Sequence, residues 1–243
     1  MIIPFMIYVV NQSNSMPVSY IELSEKMMES LMNQEDVAQY QKILANAKWS
    51  DIRLQLNDDE KRMVFWLNIY NANIQVQLSD APGRYEEKNE FFNAKSILIA
   101  GDLLSFADIE HGILRKSQHP YGMGYFKKCF PPALEKSLRV NKPDYRIHFA
   151  LNCGAKSCPP VRIYHLNTLQ QQLQEAEAFF VQQTEYDEKT NTATISSIFF
   201  WFRGDFGGKK GIREILHRQK VIPDKSVFIK SDNYNWTLQL AKK

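Results

Sequence analysis

Cysteine is scarce in this chain, with three in 243 residues. That count and that length exclude a small secreted framework stapled by disulfides. An excess of either charge is missing too. Thirty Lys and Arg stand against 27 Asp and Glu, a net charge of +3 that argues against a dedicated nucleic-acid surface. The chain has no Gly-rich phosphate loop, no dinucleotide fingerprint, no H-E-x-x-H helix and no Ser nucleophile elbow. It has no internal repeat, low-complexity tract or convincing linker. No segment after the first ten residues is long and apolar enough to be a transmembrane helix.

The opening residues MIIPFMIYVV are apolar but too short to span a bilayer. Two readings stand for this segment, placed at 1–20: a secretory-type apolar region, or an ordinary buried N-terminal stretch. No Lys or Arg precedes it and no A-x-A-like site follows. The lean is toward an exported or cell-envelope protein.

An apolar fraction of 44% leaves ample material for a core. Residues 21–47 read as helical, with a break at Asn33–Asp36. Asp58 or Asp59 caps a second helix running to about Leu78, closed by Pro82 and Gly83. Ser96–Ala100 and Asp102–Leu104 flank Gly101 as a short hairpin, and Ser105 with Asp108 resembles a capping box. Residues 118–132, rich in Pro, Gly and aromatics, read as an irregular loop. Tyr145–Leu151 reads as a strand, Leu166–Gln183 as a helix and Thr192–Ser196 as a strand. Segments 226–229 and 236–240 read as a terminal hairpin. These elements predict a helix-rich α+β single domain over 21–243 with short antiparallel strands, not a doubly wound sheet.

The most informative stretch is DYRIHFALNCGAKSCPP, from Asp144 to Pro160. Period-two alternation puts His148 and Asn152 on one strand face and Cys153 on the apolar face with Ile147, Phe149 and Leu151. Together with FWLNIYNA (Phe65–Ala72), IEHGILR (Ile109–Arg115) and SSIFFWFRGDFG (Ser196–Gly207), in that order and spacing, the chain resembles the domain of unknown function 547 family over roughly Asp59 to Leu216. The resemblance implies a fold and a set of residues worth weighing, but no established reaction.

In the first of these helices Asn68, Asn71 and Gln75 form one stripe on an otherwise apolar cylinder. Buried amides must be hydrogen-bonded, so the stripe meets either neighbouring backbone carbonyls or a polar cleft. In the IEHGILR helix Asp108, His111 and Arg115 share a side, which lets Asp108 orient the imidazole. Cys153 reads as a packed thiol. Cys158, between Lys156 with Ser157 and Pro159, reads as a thiol at a helix N-terminus with a lowered pKa. A disulfide or two packed thiols is the competing reading for both. A zinc site built from these cysteines with His111 and His148 ranks third, because strand parity and Pro159 oppose convergence.

Asp205 reads as the partner of Arg203, Arg115 or Arg146, or as the group that orients a histidine. The leading expectation is thiol-dependent acyl transfer or amide and peptide hydrolysis. Cys158 attacks, His111 or His148 is the base, Asp108 or Asp205 orients it, and Asn68 or Asn152 donates to an oxyanion. Asn71, Gln75, Arg115, Arg146 and Ser157 are candidate ligand contacts. The alternative is a non-catalytic module with a polar-lined pocket for a small molecule or peptide. No cofactor, metal or nucleic-acid partner is expected.

Overall fold

The computed structural model describes residues 19–241, so the opening apolar segment lies outside the described residues. Helix α1 (Tyr20–Met32) starts on Ser19, whose hydroxyl accepts from the Glu22 N–H. The expected break follows, and α2 (Ala38–Ala45) and α3 (Trp49–Gln55) lead to α4 (Asp59–Asp80). Asp58 caps α4 by accepting from the Lys61 N–H, which satisfies one of the orphan donors of the first turn. Phe65, Trp66, Leu67, Ile69 and Ile74 are fully buried on α4, which is the spine of the larger core. Each contributes roughly 1.5–3 kcal/mol of burial.

A 3-10 turn at Pro82–Tyr85 and helix α5 (Lys88–Asn93) precede the hairpin of β1 (Ile97–Ile99) and β2 (Asp102–Leu104). Its antiparallel register pairs Ile97 with Leu104, and Gly101 turns the chain at φ +81°. The Ser105–Asp108 box forms reciprocally: the Ser105 N–H donates to Asp108 Oδ2 at 2.7 Å, and the Asp108 N–H donates to Ser105 Oγ at 3.1 Å. The helix it starts widens into π geometry over Asp108–Leu114.

Beyond α6 (Ala133–Leu138) and a 3-10 helix at Tyr145–Phe149 come α7 (Leu169–Val181), β3 (Glu185–Asp187), β4 (Thr192–Ile195), α8 (Ile198–Trp201), α9 (Gly208–Arg218) and β5 (Phe228–Ser231). Strand β4 is central: β3 pairs with it antiparallel and β5 parallel, Ala193 lying opposite Ile229. Phe149, Phe180, Phe199 and Phe206 form a second aromatic cluster beneath this sheet, with Ile212 and Leu216 of α9. Tyr234 packs against both cores. The architecture is a helix-rich α+β fold with short strands in antiparallel and mixed sheets.

Two expected elements take other forms. Tyr145–Leu151 is not a strand. Asp144 accepts from the Arg146 N–H and starts a 3-10 turn, and the Ala150 and Leu151 N–H groups both donate to the Ile147 carbonyl. The face assignment of His148, Asn152 and Cys153 by strand parity falls with it. The terminal hairpin is also absent: residues 228–231 add to the open edge of β4, and Leu238 bridges to Ala155.

Candidate functional site

The amide stripe of α4 explains how the stretch after the 3-10 helix is held without a strand partner. Asn68 brackets Tyr164, donating from Nδ2 to its carbonyl at 2.8 Å and accepting its N–H at 2.9 Å. Asn71 donates to the Ala150 carbonyl at 3.0 Å and accepts the Asn152 N–H at 2.9 Å. Gln75 donates to Asn152 Oδ1 and accepts from the Ala241 N–H. Asn152 itself donates to the Pro159 carbonyl at 2.6 Å and accepts from the Gly154 N–H. These four carboxamides are structural latches that make ladder-like bonds from side chains. Their donors are engaged, and none of the four lines the cavity described next.

That cavity, of about 350 Å³, lies between α4, α5, the π-helix, the 3-10 helix and the Cys153–Cys158 loop. His111, His148, Glu110 and both sulfurs reach its wall. Trp201, Tyr234 and Trp236 form an aromatic shelf on it, the two indoles stacked at 5.4 Å and Tyr234 against both.

Beneath the wall runs a buried charge relay. Arg115, 1% exposed, donates from Nε to Asp205 Oδ2 at 2.6 Å and from Nη1 to His111 Nδ1 at 2.8 Å. The same Asp205 oxygen accepts from His148 Nε2 at 2.8 Å. Phe202 lies under both groups, with the His148 ring stacked on it at 4.0 Å and the Arg115 guanidinium 4.6 Å from its centroid.

A guanidinium has only donors, so His111 Nδ1 must present a lone pair and its proton sits on Nε2. Glu110 Oε1 also lies 3.5 Å from that Nδ1, a contact that would need Nδ1 protonated. The shorter Arg115 bond decides between them. Burial lowers the His111 pKa; Glu110 raises it less, and Arg115 and His148 lower it further. Burial likewise lowers His148, outweighing the bond to Asp205. A neutral His148 whose Nε2–H points at Asp205 keeps its lone pair on Nδ1, which has no hydrogen-bond partner among the described residues.

Burial alone pushes the Asp205 carboxyl up, but the bonds from His148 and Arg115 outweigh it and hold the group below the usual range. Tyr70, buried at the cavity, is raised well above its ordinary value by burial and then by the charge of Glu110. Tyr234 is raised for the same first reason, so its hydroxyl remains a donor.

Cys153 and Cys158 are joined as a disulfide, and Cys129 is an exposed free thiol. Cys158 thus carries no thiol in this state. No helix starts at Pro159 either, since the next one begins at Leu169, so no dipole acts on this sulfur. Other donors do: the Cys153 N–H points at Cys158 Sγ at 2.9 Å, and Tyr234 Oη lies 3.2 Å from it, against 3.5 Å from Cys153 Sγ.

Asp108 does not orient His111. Its carboxylate closes the capping box and pairs with Lys95. The reason is the π turn, where Arg115 and Ser117 bond back five residues to Glu110 and Gly112, so positions three apart no longer stack. Arg146 is paired with Asp144 and Gln170 on a different, polar groove. Ser157 Oγ accepts from the Asn235 N–H and pins the C-terminal segment.

Among the described residues no group of three or more His, Cys, Asp or Glu is placed to hold a metal ion. Tyr70, Glu110 and Tyr234 are the members that sequence reasoning passed over. The first two stand inside the quoted motifs, one of them directly before His111, while Tyr234 carried no signal of its own.

No curated protein and no solved structure matches the chain. A family model described as a protein of unknown function, DUF547, matches residues 54–181. That span holds Tyr70, Glu110, His111, Arg115, His148 and both bridged cysteines. Ser196–Gly207, with Asp205, falls outside it. The span is more than half of the 243 residues, and the chain belongs to this family of unknown function, DUF547.

Proposed function

We propose that the cavity is the active site of a thiol-dependent acyl-transfer or amide-hydrolysing enzyme that is resting in its oxidised form. One observation carries this reading: two neutral imidazoles, each fixed by a buried charged partner, open onto the same small cavity as both sulfurs. A dithiol reductant takes the disulfide to two thiols. Cys158 is the attacking sulfur, because the Cys153 N–H and Tyr234 Oη both point at it and would stabilise its thiolate.

His148, oriented by Asp205, takes the thiol proton as Cys158 adds to the carbonyl carbon of an ester or amide. It returns that proton to the leaving alcohol or amine as the acyl–oxygen or acyl–nitrogen bond breaks. This leaves an acyl–Cys158 thioester; water or an acceptor nucleophile then attacks its carbonyl carbon, giving its proton to His148, and the carbon–sulfur bond breaks as that proton returns to the Cys158 sulfur. The aromatic shelf suits a substrate, small molecule or peptide, whose acyl part is apolar or aromatic.

The test uses a Cys129→Ser background, which removes the exposed third thiol, fully reduced. Iodoacetamide alkylation of Cys158 is followed by peptide mass against pH. The rate should titrate below the ordinary thiol value of about 8.5, and Tyr234→Phe should move that titration up. A titration at or above the ordinary value refutes the thiol reading. The bridged state supports a second reading, a non-catalytic pocket for a small ligand: Cys158→Ala would then keep both fold and ligand.

A further inference from the structure

We propose that the loop spanning His119–Phe130 is a docking surface for an anionic lipid bilayer. Its side chains are unusual for an exposed loop. Phe130 is 96% exposed, Tyr121 78%, Phe126 68% and Tyr125 53%. Exposed aromatics at this density mark an interaction surface rather than a solvated one.

The loop is not a loose tip. The His119 N–H donates to the Phe126 carbonyl at 2.8 Å and the Lys128 N–H to the Ser117 carbonyl at 2.8 Å. The Gly204 N–H donates to the Met123 carbonyl at 2.7 Å. Gly124, at φ +83°, lies so close to Asp205 that a Cβ there would clash with it. Phe126 and Phe130 thus stand exposed on a loop tied down by these bonds, while Tyr121 turns back to the cavity, its hydroxyl donating to Asn89 Oδ1 at 3.3 Å, so docking pays a lower ordering cost.

Charge names the occupant. Between Glu110 and Glu135 the chain has no acidic residue, while Lys127 is exposed among the aromatics. Tyr125 Oη sits beside Gly208, and the next two residues, Lys209 and Lys210, are exposed at the start of α9. Aromatic rings flanked by lysines match the interface of an anionic bilayer: rings at headgroup depth and ammonium groups on the negative surface. A second copy of the chain fits less well, because a two-fold contact would set this patch against itself and its lysines against lysines. Pro120 and Tyr121 also line the cavity, so the surface lies at its mouth. The inference does not rest on the proposed reaction.

The test is cosedimentation of the whole protein with vesicles of phosphatidylcholine, alone or mixed with phosphatidylglycerol. Binding to the mixed vesicles should exceed binding to the neutral ones by at least tenfold. Lys209→Gln with Lys210→Gln should weaken it by roughly 30-fold, since each lysine near an anionic surface is worth about 1 kcal/mol. Phe126→Ser with Phe130→Ser should abolish it. All these side chains are exposed, so an unchanged Tm confirms that fold is not the cause. Equal binding to both vesicle types, or none, overturns the proposal. So does a dimer in sedimentation equilibrium that the phenylalanine variant dissolves without any vesicle binding.

Discussion

Replacing Asp205 by Asn tests whether the buried charge relay is built as described. The carboxylate accepts from Arg115 Nε and His148 Nε2 through one oxygen, and Arg115 is out of solvent, its Nη2 having no partner among the described residues. The substitution keeps the shape and an acceptor oxygen but removes the countercharge. Arg115 is then left with the neutral His111 ring and the face of Phe202. Breaking a buried pair from one side costs about 3–5 kcal/mol; the remaining amide oxygen places this case near the low end, about 3 kcal/mol. Against a total stability of roughly 5–15 kcal/mol, that is a large share.

Urea unfolding followed by circular dichroism at pH 7 measures it, with Asp205→Asn, Arg115→Met and the double variant in parallel. The double variant should be more stable than Asp205→Asn alone, because the stranded charge has gone with its partner. A single variant within 1 kcal/mol of the parent refutes the relay. So does strict additivity, with a coupling below about 0.5 kcal/mol.

Stability should also fall as pH drops below about 6.5. His111 and His148 have folded-state values lowered by burial, so the unfolded chain takes up their protons first and unfolding is favoured from the ordinary histidine value downward. The lowered carboxylates, Asp205 and Asp108 among them, lose their contribution only at more acid pH, below about 3.9. A urea midpoint that stays flat from pH 7.5 to 5 contradicts this. Asn71→Ala strips the partners from the buried Ala150 carbonyl and Asn152 N–H, at roughly 1–3 kcal/mol each. A loss of under 1 kcal/mol in the same assay would mean that this bracket is not what holds the loop.

What the sequence makes legible is what local chemistry decides. Asp58 and Ser105 announce helix starts because a cap satisfies donors within three residues. Gly101 marks the hairpin because only its neighbours are needed to turn it. Legibility ends where the partner is distant. The Arg146–Leu151 alternation looks like a strand, yet a strand needs a ladder. The bonds on offer come from Asn71 on α4 and from Ile147 within the segment itself. Residues 236–240 have strand composition, but the free edge of β4 takes residues 228–231 instead. At the site, His148, Cys153 and Cys158 are visible in one motif and His111 and Arg115 in another. Their pairing is not visible, because it depends on a π turn that sends His111 to Arg115 instead of Asp108.

The two halves of the site come from differently built parts of the chain, and that division has a physical logic. Glu110, His111 and Arg115 ride on a widened helix packed against α4, whose buried apolar faces fix it. Asp205 and Phe202 sit in the turn between α8 and α9, on the second core. The bond from Arg115 to Asp205 therefore joins one core to the other as well as shaping the cavity. An exposed ion pair could not do this, because such pairs are worth little. A buried one makes the two cores mutually dependent, since either half alone strands a charge. The residues that set the imidazole tautomers are thus the ones that fix how the aromatic shelf faces the sulfurs. Loss of the cavity's geometry and loss of the fold should travel together at Arg115 and Asp205, and separate at Tyr234 and Cys158.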